Sequence, residues 1–599
     1  MRRSVLKCFG LMFVVSAMLL WGGCGGSSTP SVIITPAAPV FTSVPPTVVQ
    51  EGVTYTYQIE TTVTDKSTVT YKVTTGPKEA SISGSTMSWT PTHAEARTSN
   101  SFTITATTSN KGTQTQAFTL TPTGNINATI VNHAITGTGI VDSKEDLAGA
   151  TVEVLFPDGK GGYSRLPGSG DSSGNAMVAN VSTGSFYFHI KQGSGANTND
   201  NYVWMSASDV DLGTLVQGRE DGTPLTSNVT VNPNVTLKVT PATGDEMEWT
   251  APDSGAADTV DISTVTNPFT TSFQQGGNAV LSSKGDRAFL LHYSNFLATP
   301  ALETLEEFLV DTSLTETSGG SVSVSGTMTA ATGKTAHPDI KFTQFDALIP
   351  STASLNPGSK VFAVVDPLYS GSEGIASPIP LLEDKFAASA GDTDAGDLSF
   401  GVLSSSDTPE AVLQDYGYHT YNVSGGGTLD APVGSVIQTA TLPSASSALV
   451  PTLTQPLSAT VDGKNFLSNQ TGVSSTPQIA WNAPTTGTVT YYIVYVVDLS
   501  TTPTVLHMFS TTNNSVTVPT GLLSSGDNFG VLIAAVSSAG TTYTSAPFRR
   551  NAEYAETFTA SGTMTVSSSG TVKKSASAAS KQSFKLVPVG SRLKLTAVQ

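Results

Sequence analysis

Cysteine is nearly missing from this chain: two in 599 residues, Cys8 and Cys24. No intramolecular disulfide framework can hold it together, although an exported compartment would permit one. Charge is scarce too. Charged residues make up 13% of the chain, and 29 basic against 46 acidic residues give a formal net charge of −17. A chain of that sign repels phosphate backbones and carries no compensating basic cluster, so nucleic acid is not an expected partner. Long runs rich in Ala, Glu, Lys and Leu with a period near 3.5 are lacking, which argues against a helical bundle or coiled coil. After the first 23 residues no stretch approaches the roughly 20 apolar residues that a membrane span requires. Covalent c-type haem is excluded by the lack of any Cys-x-x-Cys-His. Seven histidines, His93, His133, His189, His292, His337, His419 and His507, are scattered with no His-x-x-x-His and no neighbouring Cys. They read as surface or locally hydrogen-bonded residues, and no zinc spacing is present.

What the chain does contain is 55 Gly, 33 Pro and abundant Ser and Thr, the composition of exposed β-sheet. Its length suits about four domains. At the N-terminus, Arg2, Arg3 and Lys7 precede the apolar run Leu11-Met12-Phe13-Val14-Val15 to Met18-Leu19-Leu20, and Trp21-Gly22-Gly23-Cys24 follows. Residues 1–23 are therefore an export signal. Small residues followed by Cys24 resemble the lipobox of bacterial lipoproteins, with Trp21 where Leu is usual. The resemblance implies that Cys24 is acylated, and that the outer membrane is its address, since Gly25 stands where inner-membrane retention wants Asp. Loss of the leader removes three basic residues and no acidic one, leaving 26 against 46, a net −20. Residues 24–39 form a tether, flexible at Gly-Gly-Ser-Ser and stiffer at Thr35-Pro36-Ala37-Ala38-Pro39.

From residue 40 onward the pattern is short runs of period two, such as Tyr55-Thr-Tyr57-Gln-Ile59 and Phe102-Thr-Ile104-Thr-Ala106, separated by turn residues. The expected fold is all-β: serial antiparallel β-sandwiches. Across 40–124, Pro45, Glu51-Gly52, Tyr55, Tyr57, Gly76-Pro77 and Ser88-Trp89-Thr90-Pro91 resemble an Ig-like domain of the dystroglycan cadherin-like type. Trp89 is expected as a core plug. Calcium-binding relatives carry acidic runs where this chain has Asp65-Lys66, so no calcium is assigned there. Across 125–240, Gly139-Ile140-Val141, Gly149-Ala150-Thr-Val152, Asp171-Ser-Ser-Gly174 and Gly184-Ser-Phe186 resemble the carboxypeptidase regulatory-like, transthyretin-type sandwich, usually a non-catalytic accessory. Residues 241–470 read as one or two β-rich domains of unknown type. One helix is expected there: Thr299 as cap, Pro300 at the first turn, and Leu302, Leu305, Phe308 and Leu309 on one face with Glu303, Glu306 and Glu307 opposite.

Across 471–549, Pro477-Gln-Ile479-Ala-Trp481, Tyr491-Tyr-Ile493-Val-Tyr495 and Leu523-Ser-Ser-Gly526-Asp-Asn-Phe529 resemble fibronectin type III. Trp481, Leu523 and Phe529 are its structural residues. Phe529 stands where Tyr is usual, so the corner hydroxyl bond is lost, at a small cost in stability. The Tyr491–Val497 run is expected to be a central strand. Residues 550–599 are a β-rich segment and tail, in which Ala560-Ser-Gly-Thr-Met-Thr565 echoes Val324-Ser-Gly-Thr-Met-Thr329.

Candidate chemistry is sparse. Gly170-Asp171-Ser172-Ser173-Gly174 matches a nucleophile elbow, but no helical pattern follows, so it reads as a polar turn. Asp392, Asp394 and Asp397, alternating around Gly396, form the best cation candidate, a calcium loop without its closing Glu. The group Asp209, Asp211, Glu220 and Asp221 is a lesser one. The expected function is a lipid-anchored envelope or surface protein presenting interaction modules to a protein or polysaccharide, without catalysis and without an assigned cofactor. The alternative is a polysaccharide-acting enzyme within 241–470, where Glu303, Glu306, Glu383 and Asp384 supply acids.

Overall fold

The computed structural model describes residues 36–136, 139–193, 198–216, 219, 222–254, 256–261, 271–273, 278–294, 301–349, 355–367, 379–424, 426–501, 504–549, 553–567, 583–589 and 592–598. The leader, Cys24 and most of the tether lie outside them. The described chain is all-β, as expected, with one five-residue α-helix, Phe342–Asp346, and a 3-10 turn, Ser282–Lys284. Among the described residues no helix is long and apolar enough to cross a membrane.

Contacts divide the chain into two compact units, and the division is interleaved: residues up to 47, 54–90 and 100–120 form the first, while 48–53, 91–99 and 121 onward form the second. In the first, Tyr55–Gln58, Thr86–Trp89 and Ser81–Ser83 make one antiparallel sheet, and Val69–Thr75, Asn100–Thr108 and Thr113–Leu120 make another. Period-two alternation sends Tyr55, Tyr57, Met87, Trp89, Phe102 and Ile104 inward. Trp89 is the plug expected of it, 1% exposed, with its ring edge-on to Phe102 at 5.1 Å. Phe102 in turn stacks on Phe118 at 5.2 Å.

In the second unit a continuous ladder of 21 strands runs through most of the chain, flanked by smaller sheets. Its pairings cross the expected domain boundaries. Asn199–Met205 pairs in parallel with Val505–Thr511, and Thr428–Thr439 pairs with Tyr554–Ala560. Alternation reveals that a strand is half-buried but not which strand lies beside it. The Tyr491–Asp498 strand is central, between Val505–Thr511 and Asn528–Ser538, and all eight of its residues are buried.

The expected helix over 299–309 is overturned. Thr299 and Pro300 fall outside the described residues, and Ala301–Asp311 is an eleven-residue strand paired with Ala288–Ser294 and Ile379–Phe386. The cause is a bulge. Tyr293 faces Leu305 while His292 faces Glu307, so Glu306 is an extra residue. Leu305 and Phe308 therefore lie opposite Tyr293 and Leu291, on one face of the sheet at a spacing of three. A bulged strand thus imitated helical periodicity.

Candidate functional site

Three neighbouring strands, Glu246–Ala251, Ala288–Ser294 and Ala301–Asp311, with Ile379–Phe386 beyond them, gather the titratable groups of the 241–470 region. Pleating sends alternate residues to opposite faces. On one face Glu246 lies opposite Tyr293 and Glu248 opposite Leu291, and Glu303 lies opposite Glu383. Lys385 Nζ bridges the last pair, 2.7 Å from Glu303 and 2.7 Å from Glu383. Burial, and then the charges of Glu246, Glu303 and Glu383, push the Glu248 carboxyl up to about 7. Burial also raises Glu303, against the opposing Lys385 hydrogen bond. A carboxyl that keeps its proton toward neutrality beside carboxylates held by a lysine is a proton donor next to acceptors.

The other face carries His292, which is 0% exposed. Its Nδ1 lies 3.0 Å from Glu307 Oε1 and its Nε2 lies 3.2 Å from Asp245 Oδ2. Glu307 Oε2 accepts the Lys238 and Val239 backbone N–H groups. The bulge brings Glu306 alongside. Asp245, His292 and Glu306 form the one trio among the described residues that places potential metal-ligand atoms within 4.8 Å of one another.

A second buried histidine cluster fastens Asn199–Met205 to Val505–Thr511. His189 Nδ1 lies 2.8 Å from Glu153 and Nε2 2.6 Å from Asp200, whose second oxygen is 2.6 Å from His507 Nδ1. Arg165 also pairs with Glu153. Burial opposes charge on His189, yet the hydrogen bonds to Asp200 and Glu153 raise its pKa. Burial likewise pushes Asp200 up, and the bonds from His189 and His507 overcome it, leaving the carboxyl well below its ordinary range. Glu153 is lowered by its bond from His189.

Of the seven histidines read as surface or locally hydrogen-bonded, His189, His292 and His507 are hydrogen-bonded but buried, not at the surface. The available signal was their setting: each interrupts an apolar strand, as in Phe186-Tyr-Phe188-His189-Ile190.

Other expected residues are placed as follows. Cys24, Glu220 and Asp221 lie outside the described residues. Asp392, Asp394 and Asp397 do not turn toward one another. Asp392 accepts the Thr343 N–H and hydroxyl, while Asp394 and Asp397 grip His337 at 3.0 and 2.8 Å. Asp209 meets His93 Nε2 at 3.0 Å, and Asp211 binds Arg549 and the Val131 and Gly213 N–H groups. Gly170–Gly174 is the turn between strands Ser169–Gly170 and Asn175–Val181, as expected, with Asp171 accepting the Ser173 and Asn175 N–H groups. Asp384 lies on a strand, 7% exposed, and burial raises it to about 6. Glu303, Glu306 and Glu383 are also on strands, not on a helix face or in turns. Trp481, Leu523 and Phe529 share one apolar core. The hydroxyl that reaches backbone near Phe529 belongs to Tyr421, which donates to the Ser561 carbonyl at 2.9 Å. Its ring lies over Gly530, where an added Cβ would stand 2.6 Å from it.

No family model matches the chain, and no curated protein matches it. Solved structures that align with it include an endo-fucoidan hydrolase of glycoside hydrolase family 107, at 11% identity over 49% of this chain and 45% of that one, with a TM-score of 0.11. The N-terminal eight Ig domains of Down Syndrome Cell Adhesion Molecule align at 10% identity over 89% of this chain and 63% of that one, TM-score 0.13. The FN1-FN3 domains of chicken CNTN1 align at 7% identity over 72% and 93%, TM-score 0.13. The chain spans under two thirds of the length of the first two. Scores this low reflect shared strands without a shared arrangement, and no activity or partner passes from these proteins to this chain.

Proposed function

We propose that this chain is an exported, lipid-anchored envelope protein whose sheet-built units act as interaction modules for a protein or polysaccharide ligand. The observation that carries the reading is the sheet-built body: sheets close over apolar cores and leave loops and sheet edges as the surface, which is where such folds meet partners. The address rests on the leader and on Cys24, the one thiol that outlasts it. Two or more acyl chains on one residue give stable anchoring where a single chain would not. Cell fractionation tests the anchor: Cys24→Ser is expected to move the protein from membranes to the soluble fraction, and unchanged sedimentation contradicts it. Saturable binding of the released protein to cells lacking the native chain is expected of a module. Binding that never saturates contradicts that role.

A second reading, an enzyme acting on polysaccharide, is favoured by Glu248 at about 7 beside Glu303 and Glu383. It expects reducing ends to be released from a polysaccharide panel, with Glu248→Gln lowering the rate by about 10²-fold or more. No release by the native chain contradicts it.

A further inference from the structure

We propose that Asp245, His292 and Glu306 form a binding site for one divalent transition-metal ion of the zinc class, with Glu307 as the positioning residue for the imidazole. Glu307 Oε2 accepts two backbone N–H groups, so its carboxylate is held as an acceptor. Its Oε1 then takes the Nδ1 proton of His292. In the neutral imidazole that leaves a lone pair on Nε2, directed at Asp245 Oδ2 3.2 Å away. Two acceptors do not face each other in a buried place without a proton or a metal ion between them. A proton on the ring or on Asp245 is one solution, and a metal ion is the other.

The surroundings favour the metal. Three carboxylates gather on this one imidazole, and a dication neutralises more of that charge than a proton does. One imidazole nitrogen with two carboxylate oxygens is a borderline donor set that suits zinc better than calcium. Ligand atoms within 4.8 Å of one another need only small rotations to reach metal bonds of about 2.0–2.2 Å. A carboxylate on the far nitrogen of a ligating histidine fixes its tautomer and strengthens it as a donor. Asp245 and His292 are buried while Glu306 is part-exposed, so one ligand lies at the solvent side as an entry path. Sequence spacing could not show this site: its ligands come from a turn and two strands, one of them bulged.

Titration of the full chain with Zn²⁺ alone, followed by calorimetry and repeated with Co²⁺ by visible absorption, tests the proposal. One ion per chain is expected, with a dissociation constant of about 1 µM or below. Glu306→Gln, which touches neither His292 hydrogen bond, is expected to fold and to weaken binding at least about tenfold. Asp397→Asn, in the exposed cluster around His337, is expected to leave affinity unchanged. No binding, an affinity untouched by Glu306→Gln, or binding lost in Asp397→Asn would each overturn it.

Discussion

Two histidines, His189 and His292, are each buried between two carboxylates, and the rest of their company sets them apart. Around His189, Glu153 and Asp200 are matched by Arg165 and Lys191, so cations meet acids in number. Around His292, Asp245, Glu306 and Glu307 converge on a single imidazole. The first is a closed set of charge-assisted hydrogen bonds that rivets Asn199–Met205 to Val505–Thr511. The second, among the described residues, gathers three carboxylates on one imidazole, with Asp245 and His292 buried, an arrangement suited to a cation. Identical pairs at the imidazole therefore serve different ends, and the count of neighbouring charges decides which.

Asp200→Ala strips the acceptor from two buried imidazoles, and denaturant unfolding should show a loss of about 3–5 kcal/mol. A loss below 1 kcal/mol would mean that the cluster is no rivet. Next, saturating Zn²⁺ should raise stability by about 2.7 kcal/mol at 100 times its dissociation constant. Glu306→Gln, binding at least about tenfold more weakly, should cut that gain to about 1.4 kcal/mol or less at the same metal concentration, while a conservative change in the His189 cluster, Lys191→Gln, should preserve it.

The two regions should also differ in pH dependence. The raised His189 contributes stability that is complete below its ordinary value and is lost as pH rises through the raised one. The lowered Glu153 and Asp200 contribute stability that is complete above their ordinary values and is lost as pH falls through the lowered ones. That cluster is at full strength between about pH 4.5 and 6.5. Glu248, raised to about 7, behaves oppositely to a paired carboxylate. The folded state holds its proton longer, so stability falls as pH rises from about 4.5 to 7. Glu248→Gln should remove that fall and raise the melting temperature at pH 8 by about 2–4 °C. A slope unchanged by the substitution would sink the assignment. Smallest of all, Asp397→Asn at the exposed His337 cluster should leave the denaturant midpoint unchanged, which separates buried from surface pairs in one series.

The fold class was legible because period two and turn residues survive in any half-buried strand: Tyr55, Tyr57, Trp89 and Phe102 face inward as their spacing requires. Strand partners were not legible. Nothing in Asn199–Met205 announces that it will lie beside Val505–Thr511, because pairing over 300 residues of sequence is settled by tertiary packing. One inserted residue, Glu306, was enough to turn a strand into an apparent helix. The acids of 241–470 were visible as residues and invisible as a site. Glu303 faces Glu383 and Asp245 meets His292 only once the sheet registers are known. Conversely, the closely spaced Asp392, Asp394 and Asp397 looked like a cation loop, yet their oxygens are spent on Thr343 and His337.

The central claim is that the excess of carboxylates around His292 marks a cation site, while the balanced set around His189 does not. An anomalous difference map from zinc-soaked crystals of the full chain, collected at the zinc edge, tests it most directly. The account predicts one strong peak about 2.0–2.2 Å from His292 Nε2 and from oxygens of Asp245 and Glu306, with none at His189. A peak at the His189 cluster, or density confined to surface histidines such as His337, would contradict it.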